Sequence, residues 1–456
     1  MSDFDPFARK MRDAGLPGVA IRSFQHYFGQ LVAGSQGLIP DADLAPIPEL
    51  PALAELEDSR AAGERALAHT AVVKLNGGLG TSMGMTRAKS LLPIKEGLSF
   101  LDVIVRQVLW LRERTRCPVP LVLMDSFRTR EDSLALLAHY PTLATSLAPD
   151  FLQHKVPRIR KGDLSPVAWP EQPEHEWCPP GHGDLYIALL TSGMLDALLG
   201  AGIRRVFVSN ADNLGAVLDL GILGWFAESG APFAMEVKER TLSDRKGGHL
   251  ARLADGRLVL RETAQCPPEE RESFEDVMRW PYFNTNNLWI DLRALKEALD
   301  EHQGVLPLPL ICNEKPVDPK HPASPRVYQL ETAMGAAISV FPGARAIRVG
   351  SERFAPVKTT ADLLRVRSDA YVLTPDERVV AAPGADPAHL TIDLDPTFYR
   401  TVPQLEERFP AGPPSLVACR SLQVRGNVCF GAGVVCRGGV RLEGPLEIAD
   451  GSVLEG

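Results

Sequence analysis

The chain has 456 residues, which is too long for one compact core and favours two or three domains. Hydrophobic residues make up 45% and charged residues 23%, a composition that is typical of globular proteins and excludes disordered or fibrous classes. The formal net charge of −8 disfavours nucleic acid as a partner, and the sequence has no apolar run of the roughly 20 residues that a membrane span requires.

The first ten residues are charged and lack an apolar stretch, so we expect no secretory signal and a cytoplasmic location. The seven cysteines form no CxxC pair, which predicts free thiols in a reducing compartment rather than a zinc site.

Residues 1–68 have an amphipathic helical pattern interrupted by prolines, which predicts an N-terminal helical cap. After it, short apolar runs alternate with helical patterns. They predict strands over 71–75, 119–124 and 205–208, with helices over 101–114 and 185–199. This βαβα order indicates a Rossmann-like α/β fold with a mixed, mainly parallel sheet and helices on both faces.

The middle of the chain has a different pattern. Asp255-Gly256 lies between two alternating segments and predicts a hairpin over 249–263. The following stretch predicts, in order, a strand over 283–290, a helix over 292–301, a Pro-rich loop over 307–325, a small-residue helix over 329–341 and a helix from Thr359 or Thr360 to Arg367.

The C-terminal part has a six-residue period. Its apolar residues recur at Leu422, Val428, Val434, Val440 and Leu446, which is typical of a parallel β-helix. The alternative is a Val- and Gly-rich antiparallel segment. We therefore predict four regions, namely the cap (1–68), a catalytic domain (69–373), a linker (374–414) and a β-helix (415–456). So short a β-helix needs support from the catalytic domain or a second subunit.

A glycine-rich segment, LNGGLGTSMG at 75–84, directly follows a predicted strand and precedes Lys89. Glycines at a strand end let backbone N–H groups approach phosphate oxygens or a base edge, so we expect a nucleotide there. The spacing matches neither a P-loop nor GxGxxG, which disfavours kinase, ATPase and dehydrogenase functions. Taken alone, the segment is equally consistent with a structural turn.

This segment resembles the eukaryotic-type UTP-glucose-1-phosphate uridylyltransferases (UDP-glucose pyrophosphorylases). Further blocks match in the same order: FLQHKVP at 151–157, PPGHGDLY at 179–186, NADNLG at 210–215, KGGH at 246–249, FNTNNLW at 283–289, QLETA at 329–333 and PVKTT at 356–360. The resemblance implies a nucleotidyltransferase fold with a C-terminal left-handed β-helix.

It also implies that glucose 1-phosphate attacks the α-phosphorus of UTP in line, giving UDP-glucose and pyrophosphate. No protein nucleophile is needed, so catalysis rests on positioning and on neutralising charge. By resemblance, Lys89 contacts the UTP phosphates, Lys358 holds the sugar phosphate, and Asp212 binds Mg²⁺, with Asp184 as the next candidate ligand.

The remaining roles implied by the resemblance fall into two sets. The nucleotide-binding set is Leu75, Asn76, Gly77, Gly78, Gly80, Lys89, Gln153, Gly183 and Asp212. The sugar-phosphate-binding set is His182, Asn210, Glu262, Asn284, Asn286 and Lys358. Without the resemblance, Asp212 would be interpreted as a turn or helix cap and His182 as a structural hydrogen bonder.

Two alternatives stay open. One is a broad-specificity UDP-sugar pyrophosphorylase, and the other is a non-catalytic regulatory subunit of the same fold, which the presence of Lys89, Asp212 and Lys358 disfavours. The expected partners are the small molecules UTP and glucose 1-phosphate, and the expected assembly is a monomer or homodimer.

Overall fold

The computed structural model describes residues 4–35, 37–242 and 244–456; residues 1–3 and 36 of the predicted cap lie outside these ranges. The first elements are α1 (Asp5–Asp13), α2 (Gly18–Val32), β1 (Leu44–Ala45) and α3 (Arg60–Leu67). Aromatic side chains of α1 and α2, among them Phe7, Phe24 and Phe28, pack in one apolar cluster with Val156 and Leu330. The N-terminal helices therefore cover part of the following region.

The central region contains the largest sheet. Its elements are β2 (Thr70–Asn76), β3 (Pro93–Lys95), β4 (Leu98–Ser99), α4 (Phe100–Thr115), β5 (Leu121–Asp125), α5 (Arg130–Leu137), β6 (Asp150–Leu152), β7 (Val156–Pro157), β8 (Ile159–Arg160), β9 (Trp177–Cys178), α6 (Leu185–Thr191), α7 (Met194–Gly200), β10 (Arg205–Asn210), α8 (Leu220–Ser229), β11 (Phe233–Glu239), β12 (His249–Leu253), β13 (Leu258–Arg261), α9 (Arg271–Glu275), β14 (Tyr282–Asp291), α10 (Leu292–Glu301), β15 (Ile311–Pro316), β16 (Arg326–Glu331) and β17 (Arg345–Val349).

The sheet has ten strands, and the path through it is β1-β12-β14-β10-β2-β5-β6, with β13, β11 and β17 paired beside it. Strands β10, β2, β5 and β6 are parallel neighbours, whereas β14 is antiparallel to both β10 and β11. The predicted mixed, mainly parallel α/β sheet is confirmed. Because the central strands are parallel and adjacent, their carboxyl ends lie side by side at one edge.

Helices cover both faces of this sheet. Ala71 and Val73 of β2 pack in a cluster with residues of α6, α7 and α10, while the intervening Val72 packs in a second cluster with residues of α4 and α8. The alternation follows from the two-residue period of a strand. Both faces of β2 are therefore apolar and buried, as in a fully covered parallel strand.

Helices α3 and α8 touch backbone to backbone. A Cβ atom on Gly63 would lie 1.8 Å from the carbonyl oxygen of Leu220, and one on Gly224 would lie 1.8 Å from that of Ser59. Only glycine allows so close an approach. Part of the predicted N-terminal cap is thus packed directly on a sheet helix.

Three predicted elements differ from the structure. The helix over 185–199 is two helices, because Gly193 has a φ of +76° and ends the first of them. The predicted Pro-rich loop contains β15, and residues 329–331 of the predicted small-residue helix belong to β16, which pairs with β15. A 3₁₀ helix, Met334–Ser339, follows β16. The remaining predicted strands and helices are confirmed to within a few residues.

The C-terminal elements are α11 (Thr360–Arg367), β18 (Tyr371–Leu373), β19 (Val379–Ala381), β20 (Thr391–Leu394), α12 (Pro396–Tyr399), α13 (Val402–Arg408), β21 (Cys419–Arg425), β22 (Val428–Phe430), β23 (Val435–Glu443), β24 (Leu446–Ile448) and β25 (Val453–Glu455). The predicted linker therefore contains strands and helices, and Ile392, Tyr399 and Leu405 pack in the same cluster as the following strands. The four domain boundaries stay a prediction.

The last strands form short parallel sheets with a regular offset. Val428 pairs with Leu446, Leu422 with Val440, and Val435 with Val453, so each of these residues meets the one eighteen positions further on. Eighteen is three times the six-residue period in the sequence. The antiparallel alternative for this segment is wrong.

Among the described residues, no single helix is long and apolar enough to cross a membrane. One bent pair, His182–Thr191 with Met194–Gly200, satisfies the length and composition criteria only when its two helices are joined across a 67° angle. All seven cysteines lie in the described part of the chain and are free thiols.

Candidate functional site

A cleft of about 870 Å³ opens at the sheet edge where β2, β5, β6 and β10 end. Each strand is followed there by a lining segment: the glycine-rich segment after β2, Ser126 and Phe127 after β5, Gln153 after β6, and Asp212 after β10. The cleft lies where open α/β sheets bind their ligands, and its volume suits a nucleotide.

The glycine-rich loop begins at a buried anchor. The Asn76 side-chain amide donates to Asp125 Oδ1 and Ser133 Oγ, both at 2.7 Å, and thereby ties the loop to β5 and α5. Leu75, Asn76, Gly77 and Gly78 all line the cleft. The Nδ2 group of Asn76 therefore holds the loop in place at the edge of the cleft.

Gly80 brings the loop back against Lys89. It has a φ of +64°, and a Cβ atom there would lie 3.3 Å from Cγ of Lys89. The N–H of Lys89 donates to the carbonyl oxygen of Gly78 at 3.0 Å. Gly80 thus shapes the loop and does not itself line the cleft.

Lys89 and Asp212 meet in the floor of the cleft. The Nζ of Lys89 donates to Oδ2 of Asp212 at 2.6 Å, and both side chains are partly exposed. The structure thus brings together the two charged groups that the sequence placed in the nucleotide phosphate site, from loops 123 residues apart.

Gln153 lies at the other end of the glycine-rich loop. Its Nε2 donates to the carbonyl oxygen of Gly181 at 3.0 Å, and its Oε1 would lie 2.9 Å from a Cβ atom on Gly77. The absence of a side chain at Gly77 therefore leaves room for this amide beside the loop.

Gly183 is placed differently from the prediction. Its N–H donates to the carbonyl oxygen of Thr332 at 2.8 Å, and a Cβ atom would lie 2.3 Å from the Thr332 hydroxyl. The N–H is therefore unavailable to a base edge, and Gly183 packs behind the cleft. Gly181 and His182 line the cleft instead.

Asp184, the alternative metal ligand, is buried and engaged. Its carboxylate accepts the backbone N–H of His154 at 2.7 Å and lies 2.9 Å from Nδ1 of the same residue. It holds the segment that carries Gln153, so it does not fit a metal site. No group of three or more His, Cys, Asp or Glu side chains forms a metal cluster in the described ranges.

His182 and Glu262 lie close enough to Lys358 for its charge to affect the pKa of both. Burial, with a smaller effect of the Lys358 charge, lowers the pKa of His182 to about 4. The N–H of Met334 donates to Nδ1 of His182 at 2.9 Å, so the neutral ring carries its proton on Nε2. Burial raises the pKa of Glu262, while Lys358 and a hydrogen bond from Asn284 oppose the shift.

Asn284 and Asn286 are held together by a bulge in β14. The pairing with β11 is interrupted between Glu236 and Val237, and Asn286 has a φ of +58°. The Asn284 amide donates to Asn286 Oδ1, and the Asn286 N–H donates back to Asn284 Oδ1, both at 2.9 Å. Asn210, at the end of β10, lines the nearby cleft.

Turn glycines make room for Glu262. A Cβ atom on Gly248 would lie 2.6 Å from the Glu262 carboxylate, and one on Gly247 would lie 2.0 Å from the Phe283 ring. The two glycines of the KGGH block are therefore required, because the Glu262 and Phe283 side chains occupy the space that a Cβ atom would need.

A buried polar network below the cleft was not predicted. Arg353 makes two hydrogen bonds to Glu236, at 2.6 and 2.8 Å, and Glu236 also accepts from Asn287 and Trp289. Asn213 connects this network to the Asp212 loop. Glu236 and Arg353 are 117 residues apart, so their pairing has no signal in the sequence.

A family model described as UTP--glucose-1-phosphate uridylyltransferase matches residues 21–437. The protein of that name from Solanum tuberosum is 41% identical over 408 residues, which cover 88% of this chain and 83% of the relative. Its Saccharomyces cerevisiae counterpart is 39% identical, with coverages of 85% and 77%.

Solved structures agree with these sequence relatives. The UDP-glucose pyrophosphorylase from Leishmania major, described in open and closed structures, superposes with a TM-score of 0.92 at 44% identity, covering all of this chain and 98% of that one. A variant of that protein solved in complex with UDP-glucose gives a TM-score of 0.91 at 43% identity. With the parallel sheet, the glycine-rich loop and the cleft between them, these matches show that the chain belongs to the UTP-glucose-1-phosphate uridylyltransferase family.

Proposed function

We propose that this protein transfers the uridylyl group of UTP to glucose 1-phosphate, producing UDP-glucose and pyrophosphate in a reversible reaction. The observation that carries the proposal is the Lys89–Asp212 contact in the cleft. The loop that carries Lys358 is bonded to the backbone of Asp212. The N–H of Val357 donates to the carbonyl oxygen of Asp212 at 3.1 Å, so the predicted nucleotide and sugar-phosphate groups are neighbours.

The nucleotide half of the cleft would hold UTP with its base at Gln153 and its phosphates at Lys89. A side-chain amide offers both a donor and an acceptor, which suits a pyrimidine edge. Gly77 and Gly78 also line the cleft; their carbonyl oxygens accept from Ser126 and Lys89, so their backbone N–H groups are the donors that they would offer to the base. A compact ammonium group such as that of Lys89 neutralises phosphate charge without fixed geometry.

The sugar half would hold glucose 1-phosphate through Lys358, with sugar hydroxyls at Glu262, Asn284, Asn286 and Asn210. No described residue is bonded to the Nε2–H of neutral His182, so this group can donate to a phosphate oxygen between the two halves. His182 then acts as a hydrogen-bond donor that does not change its charge near neutral pH.

Asp212 fits a Mg²⁺ site of the kind that uses one carboxylate together with substrate phosphates. Its carboxylate is partly exposed in the cleft, and among the residues that the structure describes it has only Lys89 as a charged partner. When bound, Mg²⁺ would supply charge neutralisation on the UTP phosphates. The Lys89 ammonium already lies where it can share that work.

The reaction then needs no side chain that gains or loses a proton. A phosphate oxygen of glucose 1-phosphate attacks the α-phosphorus, and the bond from that phosphorus to the bridging oxygen of the β-phosphate breaks as pyrophosphate leaves. Lys358 reduces repulsion between the two anions during approach, and Lys89 stabilises charge that develops on the leaving group.

A coupled pyrophosphate-release assay with UTP, Mg²⁺ and a panel of sugar 1-phosphates tests the proposal. We expect turnover with glucose 1-phosphate and strong preference for UTP over ATP and GTP. Comparable rates with galactose 1-phosphate would instead favour the broad UDP-sugar pyrophosphorylase, and equal turnover with ATP would contradict uracil recognition by Gln153.

We also propose that the C-terminal parallel strands form a left-handed β-helix, since their eighteen-residue offset equals three hexapeptides per coil. For the assembly, a monomer or homodimer located in the cytoplasm stays our proposal. Sedimentation of the purified protein would test the assembly.

A further inference from the structure

The side chain of Asn213 joins the two loops that carry Asp212 and Lys358. Its Oδ1 accepts the backbone N–H groups of Ala355 at 2.9 Å and Gly215 at 3.2 Å. Its Nδ2 donates to the carbonyl oxygen of Arg353 at 3.1 Å and to Oδ1 of Asn287 at 3.3 Å. Both ends of the amide are therefore used, and the two backbone donors fix its orientation.

The backbone on either side is paired as well. Asn213 forms an antiparallel bridge with Pro356, and the N–H of Val357 donates to the carbonyl oxygen of Asp212. Lys358 is the next residue. Asp212, the candidate metal ligand, and Lys358, the sugar-phosphate lysine, therefore lie on two loops that are joined by a short backbone pairing centred on Asn213.

The pairing between these two loops is supported by a buried polar network. The Arg353 guanidinium and the Asn287 amide both bind the buried carboxylate of Glu236, which also accepts the Trp289 Nε1–H at 3.0 Å. The Arg353–Glu236 pair is buried and held by several hydrogen bonds, so it resists displacement. Movement of the Lys358 loop away from Asp212 would break either these bonds or those of Asn213.

Asn213 itself does not reach the substrates. Only 2% of it is exposed, and it does not line the cleft, although its neighbours Asn210, Ala211 and Asp212 do. Any effect of Asn213 on the reaction must therefore pass through the residues it holds.

We propose that Asn213 is a positioning residue for the uridylyl transfer, which sets the separation of Asp212 and Lys358. This inference rests on the proposed function. In-line attack requires the two anionic substrates to be aligned closely, and a displacement of about 1 Å is enough to reduce turnover roughly 10²-fold.

The test is a double-mutant cycle of Asn213→Ala and Lys358→Ala in the full-length protein. We expect Asn213→Ala to lower kcat roughly 10²-fold, with UTP affinity measured by calorimetry in EDTA changed less than about threefold, because the uracil end is untouched. In the Lys358→Ala background, Asn213→Ala should have much less effect on kcat, since the group being positioned is gone. Fully multiplicative effects would overturn the proposal.

Gln107→Ala is the matched control. Gln107 is also a buried amide that donates to a backbone carbonyl, at 2.9 Å, but its partner is Glu377 outside the cleft. We expect this variant to lose thermal stability and keep kcat. If it loses kcat as Asn213→Ala does, general loosening explains both, and the proposal is wrong.

A failure of the variants to fold and a failure of the proposed function can each be distinguished from a failure of the inference about Asn213. If Asn213→Ala does not fold, Asn213→Ser, which keeps a small polar group, is measured in its place; failure of both to fold would make Asn213 a determinant of the fold and overturn the positioning role. If the wild-type protein forms no UDP-glucose, the proposed function fails; if the wild type is active and the cycle is multiplicative, only the inference about Asn213 fails.

Discussion

Gly84, at the end of the glycine-rich loop, lies directly against Thr401, the residue that caps α13. A Cβ atom at position 84 would come within 2.8 Å of the Thr401 Cβ, and Gly84 has a φ of +75°. The adjacent Met83 is buried in the same apolar cluster as the C-terminal strands. The C-terminal region therefore supports the loop that we assign to the nucleotide.

Gly84→Ala should weaken nucleotide binding because the new methyl group both strains the backbone and displaces the loop from Thr401. We expect KM for UTP to rise about tenfold, as a loss of about 1.4 kcal/mol would produce. Steady-state kinetics would measure it. Gly256→Ala is the control, since Gly256 has a φ of +88° but open space around it. Equal kinetics for both variants would show that the contact with Thr401 has no role.

Asp212→Asn should remove most Mg²⁺-dependent turnover and leave UTP binding at the uracil end largely intact. The amide keeps the shape but not the charge that offsets the dehydration of Mg²⁺, and Lys89 loses its partner. Turnover against Mg²⁺ concentration, with calorimetry of UTP, separates the two effects. Asp196→Asn, at an exposed ion pair with Lys296, is the control. Wild-type turnover at low millimolar Mg²⁺ would contradict the role of Asp212.

Lys74 predicts a pH dependence of stability. It is buried, donates to Ser209 Oγ and the Ala216 carbonyl oxygen, and burial together with the charge of Arg353 lowers its pKa to about 7. Above pH 7 the unfolded chain keeps a proton that the folded protein has released. This group therefore makes the free energy of unfolding rise with pH, by up to about 1.4 kcal/mol per pH unit.

Urea unfolding between pH 7 and 9 would measure this slope. In Lys74→Met the slope should be smaller than in the wild type, whereas Lys320→Met, at an exposed lysine, should leave it unchanged. An identical slope in wild type and Lys74→Met would show that Lys74 keeps its proton throughout.

His182 should not contribute an inflection to the activity profile. With a pKa near 4 it stays neutral from pH 5.5 to 8, so His182→Gln should lower kcat/KM by a similar factor at every pH in that range. For stability the sign is opposite to that of an ion-paired histidine: the unfolded ring binds a proton first, so His182 favours unfolding as pH falls from about 6.5 towards 4. An inflection near pH 6.5 that disappears in the variant would refute the neutral ring.

Local signals in the sequence predicted much of the fold. Helix α10 has the bounds that the sequence predicts, because Asp291 caps it and its apolar residues recur on one face. The prediction of a helix over 329–341 was wrong for its first residues, because small apolar residues suit a helix and a buried strand equally well. Only pairing with β15, itself inside a segment predicted as loop, decides between them.

The candidate site also contains residues that the sequence identified and contacts that it could not predict. Lys89, Asp212 and Lys358 could be selected because the motifs that carry them resemble those of the family; without that resemblance, Asp212 would have been interpreted as a turn or helix cap. The Glu236–Arg353 pair and the contact of Gly183 with Thr332 depend on residues more than a hundred positions apart. Neither propensity nor periodicity carries such information, so neither the Glu236–Arg353 pair nor the packing of Gly183 against Thr332 could be predicted from the sequence.

The backbone contact of α3 with α8 limits how the cleft can move. The Asp212 loop leads directly into α8, and the two glycines leave no side chains that could slide or repack at the crossing. A shift of the Asp212 loop that carried α8 with it would have to move residues 60–67 as one body. We therefore expect α3, which lies between β1 and β2 in the chain, to move together with the phosphate end of the cleft.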